Sequence, residues 1–196
     1  MPERRRSSDR TGRDPVNADE PPDGPAGPSG EDMENKARNL VLRMLTHSPR
    51  TRAQLDRSLH RRGYEEEVVT RVLDRIEEAG LIDDAAFARG WVSSRHHSRG
   101  LSRRALSREL RTRGVEEETV REAVAEIDDE DEREAARALA RKKLAGTRGR
   151  DQEVRIRRAL GALARKGYPA GMSYRLVREE LEAEGEESDL LADPDL

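Results

Sequence analysis

The sequence predicts an all-α protein, with three tandem three-helix repeats forming an elongated, curved array of modules. Three observations carry this expectation. First, no segment reads as a strand. Second, aromatic residues are 3% of the 196-residue chain, with one Phe, one Trp and three Tyr, against 40% charged residues. One thick core is out of reach for such a composition, whereas short helices that each bury a narrow apolar stripe suit it. Third, one pattern occurs three times: AQLDRSLHRRGY (53–64), RALSRELRTRGV (104–115) and RALGALARKGYP (158–169). In each, a leucine precedes a glycine by four residues: Leu59 and Gly63, Leu110 and Gly114, Leu163 and Gly167. A helix that buries the leucine and ends on a glycine in the left-handed conformation explains that spacing, because only glycine adopts this turn without a Cβ penalty.

In chain order, residues 1–30 hold most of the prolines and are expected to be a disordered tail. Its Arg4–Arg5–Arg6 cluster reads as a solvated basic run. The first repeat spans 31–80. It has a helix in ENKARNLVLRMLTHS (34–48), the leucine–glycine helix opened by a Thr51–Gln54 capping box, and a third helix in EEEVVTRVLDRIEEAG (65–80). The second repeat, 81–129, runs through DDAAFARGWVSSRHH (83–97), capped by Asp83 or Asp84. It continues into an arginine-rich helix capped by Ser102 and ends in EEETVREAVAEI (116–127). Glutamates opening the 65–80 and 116–127 helices stabilise the positive end of the helix dipole. The third repeat, 130–184, contains EREAARALARKKLAG (132–146), the 158–169 pattern and MSYRLVREELEAE (172–184). Residues 185–196 form an acidic tail. Tyr64 and Tyr168, each following its glycine, are expected to close the helix ends by apolar contact.

Positive charge is concentrated in the second repeat although the chain has 38 Lys+Arg against 41 Asp+Glu, a formal net charge of −3. On a helical wheel, Leu106 and Leu110 lie about 40° apart, and Arg104, Arg108 and Arg111 fall within about 60° of one another on the opposite side. Arg95, Arg99, Arg103 and Arg113 extend the positive region, with Glu109 the only acid among them. A face built for solubility mixes signs at i,i+4 spacing. Here the compensating acid comes as a separate block, EIDDEDEREA (126–135), and segregated charge suggests a surface for phosphate or an acidic protein. The third repeat adds Lys142, Lys143, Arg158 and Arg165. In the first, acids surround Arg57, Arg61 and Arg62 more evenly. Phe87 and Trp91, four apart on one helix, are expected to pack into a three-helix core.

Several functions are excluded or unsupported. There is no cysteine, hence no disulfide or thiolate chemistry. No apolar run approaches the roughly 18 residues of a membrane span, and the N-terminus lacks the apolar segment of a signal peptide, so a cytoplasmic protein is expected. Adjacent His96 and His97 diverge on a helix, and His47 and His60 lack metal partners at helical spacing. No phosphate loop, H-E-x-x-H or nucleophile elbow occurs. No enzyme, cofactor or metal is expected.

LIDDAAFARGWVSSR followed by SRGLSRRALSRELRTRGV resembles the central signature of the RecX family, bacterial regulators of the recombinase RecA. The family's L-[IL]-[DN]-D-x-x-[FY]-[AV] opening falls on Leu81–Ala88, its arginine-rich segment on Arg95–Arg99, and its E-L-x-x-[KR]-G-[IV] ending on Glu109–Val115. The similarity extends over roughly 34–184 and is strongest at 81–127. The resemblance implies three tandem three-helix repeats and a non-catalytic monomer that binds RecA filaments on DNA. It implies reduced strand exchange, ATP hydrolysis and coprotease activity, and with them modulation of recombination, repair and the SOS response. Single- and double-stranded DNA would be touched weakly through phosphates. The alternative is a helix-turn-helix-like DNA-binding transcription or repair factor. Such a factor needs base-reading side chains on its recognition helix, where 102–113 offers only Ser102, Ser107 and Thr112.

Overall fold

The computed structural model describes residues 29–185, all helix and connecting turn. Both expected tails fall outside the described residues, apart from Ser29, Gly30 and Gly185. Among the described residues there are nine helices and no strand. They are α1 (Gly30–His47), α2 (Arg52–His60), α3 (Glu66–Glu78), α4 (Asp84–Arg99), α5 (Arg103–Arg113), α6 (Glu117–Ala125), α7 (Asp129–Ala145), α8 (Gln152–Lys166) and α9 (Ala170–Ala183). The first helix begins ahead of the expected Glu34. Ser29 Oγ accepts from Asp32 N at 3.2 Å while the Asp32 carboxylate accepts from Ser29 N at 3.3 Å, a reciprocal cap that pulls the end of the proline-rich segment into the helix.

Each group of three helices has its own core. In the first domain, Ala37 and Val41 of α1 meet Leu55 and Leu59 of α2 and Val69, Val72, Leu73 and Ile76 of α3. In the second, Ala88 and Val92 meet Leu106, Leu110, Val120 and Ala123. In the third, Ala136, Ala140 and Leu144 meet Ile156, Leu163, Leu176, Val177 and Leu181. The helix pairs in extensive contact all lie within a domain, and α7 packs along both α8 and α9. Small residues on the first helices (Ala37, Ala88, Ala136, Ala140) let them approach closely, which is how so few aromatics suffice.

The three leucine–glycine motifs close their helices identically. Gly63, Gly114 and Gly167 have φ of 82°, 84° and 86°. Their N–H groups donate to His60, Arg111 and Ala164, and the next residues, Tyr64, Val115 and Tyr168, donate back to the carbonyls of Leu59, Leu110 and Leu163. This pair of bonds satisfies carbonyls that the helix end leaves free.

Two of the three glycines also join domains. A Cβ on Gly114 would stand 2.4 Å from Ala53 Cβ at the start of α2, and one on Gly167 would stand 2.7 Å from Ser102 Oγ and 2.9 Å from Ala105 Cβ at the start of α5. The end of each second helix is thus pressed against the start of the second helix one domain earlier. Thr51 Oγ1 donates to Arg113 O at 2.7 Å, and Ser102 N donates to Lys166 O at 3.1 Å. From the other side, the first turn of the following domain supplies an acceptor. Asp84 accepts from Arg52 N at 2.9 Å and Glu132 from Arg103 N at 2.8 Å. Tyr168, expected only to close its own helix, spans the second joint by donating its hydroxyl to Gly100 O at 3.1 Å.

Two outcomes test these joints. Gly63→Ala should cost about 1 kcal/mol, the left-handed penalty alone. Gly114→Ala and Gly167→Ala should cost clearly more, because backbone and Cβ atoms must also part; thermal unfolding of the three variants checks the order. Burial pushes the Tyr168 hydroxyl up to about 12, with the Glu132 charge adding to the shift. A pKa raised in the folded state gives stability that is complete below the ordinary tyrosine value and lost as pH rises through about 12. A spectrophotometric titration should therefore show one late-ionising tyrosine, absent in Tyr168→Phe, and alkaline loosening of the second joint should vanish with it.

Candidate functional site: a cationic face on the middle domain

The arginine helix α5 is oriented as its wheel predicts. Leu106 and Leu110 are fully buried, Ala105 nearly so, and Arg104 and Arg108 are exposed. Neither arginine has an ion pair with a described residue. The same holds for the exposed Arg99, Lys142, Lys143, Arg158 and Arg165.

Other arginines named from the sequence are committed to the fold. Arg103 Nε donates to Glu132 Oε2 at 2.8 Å and its Nη2 to Asp129 Oδ1 at 2.5 Å, while Arg103 N bonds the second Glu132 oxygen. Burial works against its charge, but the two carboxylates outweigh it and raise its pKa. Arg52 occupies the equivalent place in the first domain, bonded to Asp74 and Glu77 at 2.5 Å each. Arg111 forks onto Glu117, Nε at 2.7 Å and Nη2 at 2.5 Å. That hydrogen bond lowers the Glu117 carboxyl below its ordinary range and raises the guanidinium. The stripe of Arg104, Arg108 and Arg111 is therefore electrostatically a pair, with its third member neutralised. Nor is the acid of 126–135 wholly segregated, since Asp129 and Glu132 return to Arg103 across the second joint.

Trp91 has a role that its spacing from Phe87 does not reveal. It is only half-buried, against the edge of the second core. The Arg95 guanidinium carbon lies 4.1 Å from its ring centroid and that of Arg113 lies 3.7 Å away. Trp91 Nε1 donates to Glu109 Oε2 at 2.7 Å, and Arg113 Nη1 donates to Glu109 O at 2.7 Å. Phe87 stacks beside the indole, centroids 5.7 Å apart and planes 16° from parallel. Two cations thus share one aromatic platform, whose indole N–H is anchored on the Glu109 carboxylate. Each cation–π contact contributes about 0.5–2 kcal/mol and holds a guanidinium in place without neutralising it. Burial, together with repulsion from Arg95, pulls Arg113 below the usual arginine value against the pull of Glu109. The i,i+4 run Phe87–Trp91–Arg95 was a legible signal for half of this cluster.

Beside it runs a groove between the first and second domains, lined by Leu45, Pro49, Arg50, Leu81, Phe87 and Trp91. Leu81 is 53% exposed there, the only large apolar side chain so exposed among the described residues. On the other side of α4, Arg99 and Lys142 share a cleft with Glu126, Asp131 and Glu134. No group of three or more metal-ligating side chains occurs among the described residues. His96 is buried and engages Leu101 O through Nδ1 at 3.0 Å, its ring edge-on to His97.

Fold and site together define a tandem array of three-helix domains whose middle member carries an aromatic-backed arginine face. Models of the RecX first, second and third three-helix domains match residues 37–75, 83–124 and 129–177 in turn. The regulatory protein RecX of Thermobifida fusca is 57% identical over 171 residues, covering 87% of this chain and 91% of its own. That of Streptomyces coelicolor is 53% identical over 167 residues, covering 85% and 89%. A crystal structure of RecX from Lactobacillus salivarius superposes with a TM-score of 0.69 at 18% identity, over 76% of this chain and 97% of that one. A crystal structure of regulatory protein RecX gives 0.67 at 24% identity, over 76% and 73%. Both structural likenesses speak to the fold. The chain belongs to the RecX family of regulatory proteins.

Stability should separate the two kinds of arginine. Arg103→Ala removes a guanidinium from beside the nearly buried Glu132 and should destabilise by about 1–3 kcal/mol, the cost of leaving one carboxylate oxygen without its charged partner. Arg104→Ala and Arg108→Ala should change stability by less than about 0.5 kcal/mol. Urea unfolding of the three single variants checks this.

Proposed function

We propose that this chain binds RecA filaments on DNA and inhibits the recombinase, its ATP hydrolysis and its coprotease activity, acting in the cytoplasm as a regulator with no catalytic step of its own. The observation that carries this reading is the unneutralised pair Arg104 and Arg108 on α5, next to Arg95 and Arg113 held over Trp91, in the middle domain of a RecX-family chain. Free guanidinium forks suit phosphate and carboxylate alike. A nucleoprotein filament offers both, repeated along its axis. Arg99, Lys142, Lys143, Arg158 and Arg165 extend the contact, and the groove at Leu81 gives it an apolar margin. Arg103 supports the face from within the fold, and Arg111 stays at the surface with its charge taken by Glu117.

The helix-turn-helix reading loses support from the geometry of α5. Ser102 is fully buried as the helix cap, Ser107 Oγ donates to Arg103 O at 2.9 Å, and Thr112 Oγ1 donates to Arg108 O at 2.8 Å. The small polar side chains that would read base edges are all engaged by the backbone.

The test is ATP hydrolysis by the cognate RecA on single-stranded DNA, titrated with this chain and its variants. The native chain should inhibit at substoichiometric amounts. The Arg104→Ala/Arg108→Ala double variant should need about tenfold more protein, from the loss of two solvent-exposed ion pairs, whereas Arg111→Ala should differ little. If the arginines meet DNA phosphates, the double variant also lowers the salt slope of DNA binding by about 2. Absence of inhibition by the native chain would remove the reading.

A further inference from the structure

We propose that the groove beside Trp91 is the docking site of the chain's own proline-rich segment, residues 19–28, which lies there in extended polyproline form and covers the candidate site. Four features of the groove ask for an occupant. Leu81 stands 53% exposed on its wall. Gly90, in the middle of α4, lines it too, and nothing lies within 4 Å of where a Cβ on Gly90 would be. Glycine inside a helix costs about 1 kcal/mol against alanine, and neither a positive φ nor packing among the described residues requires it here. What it leaves is open backbone that another chain can approach closely. The Nε of Arg50 is buried with no hydrogen-bond partner among the described residues, a donor that an incoming carbonyl or carboxylate would satisfy. Phe87 and Trp91 supply an aromatic wall, the lining on which proline-rich segments dock at low entropic cost.

The sequence ahead of α1 carries the matching pattern. In PPDGPAGPSG, Pro22, Pro25 and Pro28 are three apart and so share one edge of a polyproline II helix, which has three residues per turn. The acids Asp19, Glu20 and Asp23 complement Arg50 and Arg95 in the groove. Asp83, the opposing charge there, is engaged in capping α4, accepting from Ala86 N at 2.7 Å.

The point where the segment joins the fold fits as well. Pro28 precedes Ser29, the cap of α1. A cleft lined by Glu31, Leu42 and Ala79 leads from that end of α1 to Leu81, which belongs to both cleft and groove. Of the acids in this cleft, Glu34 is held by Arg71 and Arg75, and Glu31 stands where the prolines, not the acids, would pass. From Gly30 to Leu45, α1 is about 22 Å long, and residues 19–28 in polyproline form reach about 30 Å. The prolines would thus lie along the cleft, with the acids at Arg50 and Arg95. An anionic partner of Arg95 then has to displace the segment. That consequence rests on the function proposed above, whereas the docking itself does not.

Trp91 is the only tryptophan of the chain, so its fluorescence reports this groove alone. In the full native chain, acrylamide should quench it weakly. In the Asp19→Asn/Glu20→Gln/Asp23→Asn variant, loss of the rim ion pairs should weaken docking about tenfold and quenching should rise. Salt at about 1 M should have the same effect, as should Pro22→Gly/Pro25→Gly, which loosens the undocked segment. Proximity is measured separately, in a chain that has no native cysteine. A short bis-maleimide should link Ala18→Cys to Ser94→Cys, exposed on the groove, about tenfold more than to Ala164→Cys, exposed in the third domain, because docking raises the local concentration. Equal quenching of native and variant chains would overturn the proposal, as would equal linkage to 94 and 164. So would quenching that falls as protein concentration rises, the mark of a second copy in the groove.

Discussion

Everything in this molecule is positioned by the close approach of a helix end to a helix start. The three cores are separate, so the arrangement of the array rests on the joints at Gly114 and Gly167. A helix leaves its first N–H groups and last carbonyls without internal partners. Each joint satisfies both kinds at once. The outgoing carbonyls of α5 and α8 are taken by Thr51 and Ser102, while the incoming N–H groups of Arg52 and Arg103 are taken by Asp84 and Glu132. The aligned dipoles add to this without burying much apolar surface. Asp84 shows what it costs. Burial, aided by the charges of Glu77 and Asp83, raises its carboxyl above the ordinary range although the Arg52 N–H opposes the shift.

The same joints decide which charges are left for a partner. Asp129 and Glu132 reach Arg103 only because α7 starts where α5 starts. Acid that is distant in the chain is thereby spent on one arginine, and its neighbours on the solvent side stay unpaired. Exposed pairs such as Arg111–Glu117 are screened by water and contribute little, so the fold gains little from neutralising a surface arginine and loses little by leaving Arg104 and Arg108 free. The Trp91 cluster works differently. There an aromatic ring and a backbone carbonyl hold Arg113 in place, which lowers the ordering cost of an anionic contact while keeping the charge.

How much of this was legible follows from the range of each interaction. The turns at Gly63, Gly114 and Gly167, the caps at Thr51 and Ser102, and the inward face of Leu106 and Leu110 depend on residues within a turn or two of one another, and periodicity and capping rules read them directly. The partner of Arg103 lies 26 to 29 residues away, and Ala53 lies across a domain boundary from Gly114. No local rule announces either. Glycine is required at 114 and 167 for two reasons, and the sequence displays only the conformational one. Trp91 was read as core because large aromatics are scarce. The packing shows that alanines on α1, α4 and α7 fill that need, which leaves the indole at the edge.

Modules with similar cores must still dock in one order, and similarity of cores cannot enforce it. The joints can, because they are chemically unlike. The first closes with Val115 and has Pro49 ahead of its cap, so it offers neither a hydroxyl donor nor the left-handed glycine that receives one. The second uses both, in Tyr168 and Gly100. Docking the third domain directly on the first would set the nearly buried Tyr168 hydroxyl against Pro49, whose fixed negative φ excludes the left-handed turn that presents Gly100 O, and an unpaired buried hydroxyl costs about 1–3 kcal/mol. That difference is small beside the stability of a domain but large enough to order the array by a factor of about five or more. The repeated leucine–glycine motif thus supplies the shape of every joint, and the residue after the glycine supplies the address.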